Sequence, residues 1–368
     1  MGNGERLKKK QWIVGVVVLL ALVALVVWGR DRIHFDFGVF RAQLALADWV
    51  KIAIGFGCIC IGYLFRSARW AWLLRHNKKV SPLSLLGTQV IGFTAVALIG
   101  RVADPVRPYL VARKTGLELS SQIAVYIVER LFDAGSMALI FSATILLTAW
   151  FGAPAELPHP EIVRKAGYWG MGLTVVGALF LVAVRLGGGM VAAFFEKTVG
   201  LVSKKLAYAI GHKIRTFRAG LDTMRSFSDF GVTLGLSLAM WGLITVAYLE
   251  TTRAFTASPP LATMTLAKCM LLLAFSGGAS ALQLPILGWF TQIGLVAAAL
   301  TSFYGVSPEA STACAATILL VTFLGIVPIG LIWAQFEHVS LRGVAHESEN
   351  AGEALHVDEQ PAPPDGVA

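Results

Sequence analysis

Long uncharged stretches alternate with short charged ones along most of this chain. Gln11–Gly29, Val80–Gly100, Ala134–Ala155, Ala166–Val184, Gly231–Leu249, Cys269–Pro308 and Ala310–Phe336 hold no Lys, Arg, Asp or Glu, and Trp49–Leu64 is interrupted only by Lys51. A helix needs about 20 residues to cross a hydrocarbon core ~30 Å thick. Most of these stretches reach that length, and Cys269–Pro308 has room for two crossings or one re-entrant hairpin. The pattern predicts an all-α, polytopic transmembrane helix bundle of about 7–9 spans. Barrel strands, which alternate apolar and polar residues in pieces of ~10, do not fit it. The first stretch follows Lys8, Lys9 and Lys10, runs apolar from Trp12 to Trp28 and has no A-x-A site after it, so a retained signal anchor is expected.

The basic residues between the stretches set the expected orientation, because Lys and Arg near span ends stay cytoplasmic. Residues 1–10 form a basic cytoplasmic N-terminus, Arg66–Lys79 carries five cations and no acid, and the basic loop 185–229 gives the strongest inward signal. Pro154–Lys165 and the piece around Arg253 fit the outer side. Arg101–Lys114 breaks this order. It holds Arg101, Arg107, Arg113 and Lys114 after a single uncharged run that begins inside, so a full crossing leaves four cations outside. A broken or re-entrant pair between Val80 and Gln122 removes the conflict. Cys269–Pro308, interrupted at Pro285, invites the same reading. Whether 83–121 and 261–304 dip or cross stays open at this level. Two interrupted segments in corresponding places suggest an internal duplication, which in transporters marks the binding site. The membrane domain is expected over 11–336, and 337–368 as an acidic, disordered cytoplasmic tail. Ser203–Phe230 has Leu206, Ile210, Ile214, Phe217 and Leu221 at helical spacing among basic residues, as a helix lying on an anionic leaflet does.

Composition sharpens this picture rather than changing it. The 368 residues are 56% hydrophobic and 14% charged, against roughly a quarter charged in soluble domains, and the mean hydropathy is +0.69. The net charge of +9 follows from positive-inside topology and gives no reason to invoke nucleic acid. Cys58, Cys60, Cys269 and Cys314 all fall inside apolar stretches and read as small packing residues. The seven histidines have no ligand spacing, so no metal and no cofactor is expected. No phosphate-cradling loop or nucleophile motif occurs, and Gly187–Gly189 reads as a turn.

Charged residues inside the apolar stretches are the candidate chemistry. Glu129, Arg130 and Asp133 lie within a helical stretch from about Gln122 to Trp150. Glu129 and Asp133 share one helix face, being four apart. At a helix centre the three cost roughly 8–10 kcal/mol, while the apolar residues around them return only about 4–7. The group therefore belongs at the headgroup layer, or in a polar floor inside the bundle where arginines from Arg101–Arg113 pair with it. Lys268 either snorkels to an interface or binds an anionic headgroup. Glu250 and Arg253 read as an interfacial pair. Arg with carboxylate serves binding better than turnover, so the chain is not expected to be an enzyme.

The run GRVADPVRPYLVARKTG, followed by SSQIAVYIVERLFD, resembles the membrane domain of the lysylphosphatidylglycerol synthase/flippase family. Gly100, Arg101, Asp104 and Arg107 match its G-R-x-G-E-x-x-R element, with Asp for Glu and Ala103 for Gly. Glu129, Arg130 and Asp133 match its E-R-x-x-D element, and Arg66, Arg69 and Trp70 its R-x-x-R-W pattern. At the family's P-G-G-x-G-x-x-E element this chain has Pro285 and, at the acidic position, Gln292; Ile286, Leu287 and Trp289 stand at the glycine positions. The resemblance covers about residues 10–335. It implies a stand-alone flippase-like module of a bacterial inner membrane, without the synthase domain, moving a phospholipid or a polyprenyl-linked or glycosylated lipid with an anionic or modified headgroup between leaflets. On this reading Arg101, Asp104, Arg107, Glu129, Arg130, Asp133, Arg69, Gln292 and Lys268 are substrate-binding candidates. Arg101, Arg107 and Arg130 wall a hydrated groove, and the partners are membrane lipids. The alternatives are an accessory protein docking a lipid-modifying enzyme or glycosyltransferase through the Arg185–Arg225 loop, and a small-solute or ion transporter.

Overall fold

The computed structural model of the protein describes residues 35–150, 159–200, 226–281 and 287–339. The expected N-terminal anchor, the basic stretch 201–225, the segment around Pro285 and the tail from 340 onward lie outside them. Every regular element among the described residues is helical: α1 (Phe37–Ala45), α2 (Trp49–Leu74), α3 (Pro82–Ile99), α4 (Val106–Thr115), α5 (Leu119–Trp150), α6 (Pro160–Gly200), α7 (Phe227–Arg253), the single turn α8 (Pro259–Ala262), α9 (Leu266–Ala281), α10 (Leu287–Tyr304), α11 (Pro308–Leu319) and α12 (Ile326–Phe336). Among these residues five helical stretches are long and apolar enough to cross a membrane: Trp49–Leu74, Pro82–Ile99, Leu119–Thr148, Phe227–Arg253 and Pro308–Phe336. The chain is a multi-pass membrane protein of all-α fold, as the uncharged stretches predict.

Local chemistry sets the boundaries. Asp48 caps α2 by accepting from the backbone of Val50 and Lys51, and Ser226 with Asp229 forms a capping box on α7. α3 and α11 each begin with a proline, at Pro82 and Pro308, where its missing N–H is harmless. α3 stops at Gly100, whose φ of 87° leaves the helical region and suits glycine. A one-turn 3-10 piece, Arg101–Ala103, then leads into α4.

α2 and α7 pack antiparallel along their whole length. At one end Asp229 of α7 pairs with Arg75 and with His76, 3.0 Å away. At the other, the Asp48 amide donates to the Ala254 carbonyl at 2.8 Å and Lys51 reaches the Arg253 carbonyl. Gly55 permits the close approach, since a Cβ there would lie 2.8 Å from Thr251 Oγ1 and 3.1 Å from the Ala247 carbonyl. Small residues let membrane helices touch backbone to backbone.

Two hairpins enter this frame from opposite ends. Lys78 Nζ donates to the Thr115 carbonyl at 2.5 Å, so α3 starts and α4 finishes together, at the basic end marked by Arg75, His76 and Lys78. Tyr304 Oη donates to the Lys268 carbonyl at 3.0 Å, so α9 starts and α10 finishes together. That is the opposite end, where Arg253 Nε donates to the Met264 carbonyl at 2.9 Å. The inner ends of the hairpins meet, with Trp289 Nε1 donating to the Ala97 carbonyl at 3.0 Å. Each interrupted segment therefore enters and leaves at one end of the bundle. α2, α3–α4 and α5 run through the same sequence of elements as α7, α9–α10 and α11–α12, in the opposite direction across the membrane, which is the arrangement of an inverted repeat. The last crossing contains a π turn at Leu320–Leu324, where the Gly325 amide donates to the Leu320 carbonyl. Pro328, one turn further on, lacks an N–H and crowds the Leu324 carbonyl, which accounts for the shifted ladder.

Candidate functional site

α5 carries the central carboxylates. Glu129 lies ten residues from the start of the helix, about 15 Å of rise, and is 1% exposed. The triad is therefore buried inside the bundle, about three turns from the start of α5. Arg69 of α2 binds both acids, with Nη2 2.6 Å from Glu129 Oε1 and Nη1 2.7 Å from Asp133 Oδ1, and Nη1 also donates to Ser237 of α7 at 2.7 Å. Arg107 of α4 grips Glu129 with both nitrogens at 3.2 Å and donates to Gln89 of α3 at 3.1 Å. Its stem fits because residue 92 is glycine; a Cβ there would run into Arg107 Cγ. Arg66 donates to Glu129 at 3.3 Å and stands 3.7 Å from Asp133. Arg130 reaches Glu129 at 3.3 Å and Asp133 at 3.0 Å. Phe93 takes two guanidinium groups on its ring, Arg66 at 4.4 Å and Arg107 at 4.5 Å, a favourable cation–π arrangement.

The charge balance is uneven. Four guanidinium groups surround two carboxylates, and arginine does not give up its proton in proteins. Two positive charges remain after pairing, at a depth where an uncompensated charge costs several kcal/mol. The surplus borders a cavity of about 510 Å³, within the ~300–1,000 Å³ range of small-molecule sites. Arg66, Arg101, Arg130 and Asp133 line its charged part. Tyr248, Ser276, Gln292 and Thr322 line a neutral polar part, where Tyr248 Oη lies 2.7 Å from Ser276 Oγ and Gln292 Nε2 donates to the same oxygen at 3.1 Å. Met137, Met240, Ile244 and Leu273 form apolar wall between them. Trp241, which donates to Asp133 at 3.4 Å, and Tyr248 are seven residues apart on α7, so the two parts are about 10 Å apart.

The structure gathers most of the expected residues and redistributes their places. Arg69, Arg107, Glu129, Arg130 and Asp133 form one network. Arg107, expected as a wall of the groove, is 3% exposed and stands behind Glu129. Arg66, outside the expected set, lines the cavity instead. Arg101 is 43% exposed at the cavity and 3.8 Å from Asp104, because the turn after Gly100 carries both to the inner end of the hairpin. Gln292 reaches the same cavity from the second hairpin. Lys268 stands apart, half-buried at the opposite end of the bundle beside Tyr304. Ser237, Trp241 and Tyr248 were legible only as one face of α7, at spacings of four and seven.

A family model described as the lysylphosphatidylglycerol synthase TM region matches residues 12–330. No curated protein and no solved structure matches the chain.

Proposed function

The chain belongs to the lysylphosphatidylglycerol synthase transmembrane-region family, and on that premise we propose that it is a flippase-like transporter moving a lipid with an anionic headgroup between leaflets. The surplus of two guanidinium charges beside a cavity between two oppositely inserted hairpins carries the proposal. An anion about 4 Å from one such charge gains ~4 kcal/mol at an effective dielectric of 20, enough to draw a phosphate from the interface. Arg66, Arg101 and Arg130 meet the phosphate, and arginine's planar fork suits it. Arg69 and Arg107 hold Glu129 and Asp133 in place, so that the wall keeps its shape when the headgroup leaves. The acyl chains stay in lipid. We assign the basic end to the cytoplasm of a bacterial inner membrane by the positive-inside rule. This role is binding and passage rather than turnover.

Proteoliposomes with a leaflet-resolved lipid assay test the reading. Arg66→Ala and Arg130→Ala proteins, at wild-type abundance, are expected to exchange anionic lipid at least about tenfold more slowly, the loss of one charge-assisted contact of ~1.5–3 kcal/mol. Unchanged leaflet distribution of every anionic lipid tested, in both variants, removes it.

A further inference from the structure

The cavity has two chemically different parts, and together they describe the headgroup. Resting on the transporter reading, we infer that the site takes a phosphate ester whose headgroup is neutral and rich in hydroxyls, a sugar or polyol, and discriminates against headgroups carrying an ammonium group.

Among the described lining residues Asp133 is the one carboxylate, and its oxygens already accept from Arg69, Arg130 and Trp241. An ammonium group in the cavity therefore meets no unengaged anion, and it lies within about 10 Å of two surplus positive charges. A neutral headgroup carries no such penalty.

The far part supplies what hydroxyls need. Tyr248, Ser276 and Gln292 are 5%, 1% and 6% exposed and come from three different helices, yet their polar atoms converge on Ser276 Oγ. Hydroxyl and primary amide groups each donate and accept, so this cluster can match a sugar or polyol in either sense. The ~10 Å between Trp241 and Tyr248 along α7 suits a phosphate plus one such headgroup.

Binding to the purified full chain in phosphatidylcholine nanodiscs tests the inference. The probes are phosphatidylinositol, phosphatidylglycerol, phosphatidic acid, lysylphosphatidylglycerol and soluble inositol phosphate. The two hydroxylated lipids are expected to bind more tightly than phosphatidic acid and at least about tenfold more tightly than the lysyl lipid. Gln292→Glu is expected to narrow the gap to the lysyl lipid, and Ser276→Ala to bring phosphatidylinositol and phosphatidic acid towards parity. Wild-type protein that binds lysylphosphatidylglycerol as tightly as phosphatidylinositol overturns the inference and leaves the transporter reading standing. Equal competition by soluble inositol phosphate upholds the headgroup assignment and counts against lipid as the cargo. Binding of no anionic probe removes both.

Discussion

Glu129 Oε1 lies within 3.3 Å of guanidinium nitrogens from Arg66, Arg69, Arg107 and Arg130. These four arginines do not do the same work. Arg69 is 1% exposed and Arg107 3%, and each also binds a neutral side chain, Ser237 and Gln89 respectively. Arg66 and Arg130, 11% and 33% exposed, face the cavity. Removing Arg69 takes buried hydrogen bonds from Glu129, Asp133 and Ser237 together, at about 1–3 kcal/mol for each group left unsatisfied, whereas a partly exposed pair contributes about 1 kcal/mol or less. Arg69→Ala is therefore expected to lower the thermal midpoint sharply, and Arg130→Ala to leave it nearly in place while weakening anion binding. Melting curves and lipid binding on the same preparations check this, and the reverse ordering contradicts the division of roles. Charge within otherwise apolar sequence marks Glu129, Arg130 and Asp133 by residue type and position alone, whereas Arg107 stands in a basic segment expected to pair with them and Arg69 was marked by the family's R-x-x-R-W pattern. Which arginine faces the cavity was not legible in that pattern, because it depends on how α4 lies behind α5 and on the space left at Gly92. Arg66 could have been found from its position one turn before Arg69, on the same helix face.

At the scale of elements, the sequence located both breaks but not what the chain does after them. Four basic residues following one uncharged run required an irregular Arg101–Lys114, and the structure places its turn at Gly100. A hairpin and a single crossing differ in which ends come together. That is decided by tertiary contacts, Lys78 to Thr115 and Tyr304 to Lys268, between residues tens of positions apart. The π turn at Leu320–Leu324 had a single local sign in Pro328, and it brings Thr322 and Phe323 to the cavity. The hairpin topology gives a direct test in a background lacking Cys58, Cys60, Cys269 and Cys314. Lys79→Cys and Lys114→Cys are expected to react with an impermeant thiol reagent from one side of the membrane. Thr265→Cys and Ser307→Cys should react from the other. Labelling of positions 79 and 114 from opposite sides means that α3–α4 crosses, and the inverted arrangement fails with it.

For the whole molecule, the two oppositely directed halves and the uneven charge balance bear on a single equilibrium. The inner ends of the hairpins touch through Trp289 and Ala97, and the cavity is lined by residues from both halves, Arg66 and Arg130 from one, Tyr248 and Gln292 from the other. A ligand held there bridges the halves, so its binding energy adds to the stability of the entire fold. At a hundredfold excess over Kd that gain is about 2.7 kcal/mol. The source of the attraction is separable by salt. Cations at the basic end, such as Arg75, Lys78 and Lys79, lie near the surface, and near ~1 M salt the screening length falls to about 3 Å, which removes their pull on anionic lipid. The guanidinium groups at the cavity are at most partly exposed, are screened much less than surface charges and keep more of their attraction. Phosphatidylglycerol is therefore expected to raise the thermal midpoint of wild-type protein at both low and high salt, and to lose that effect in the Arg66→Ala, Arg130→Ala double variant. A shift that disappears from wild-type protein at high salt, yet survives in the double variant at low salt, puts lipid recognition on the basic surface and leaves the cavity without its ligand.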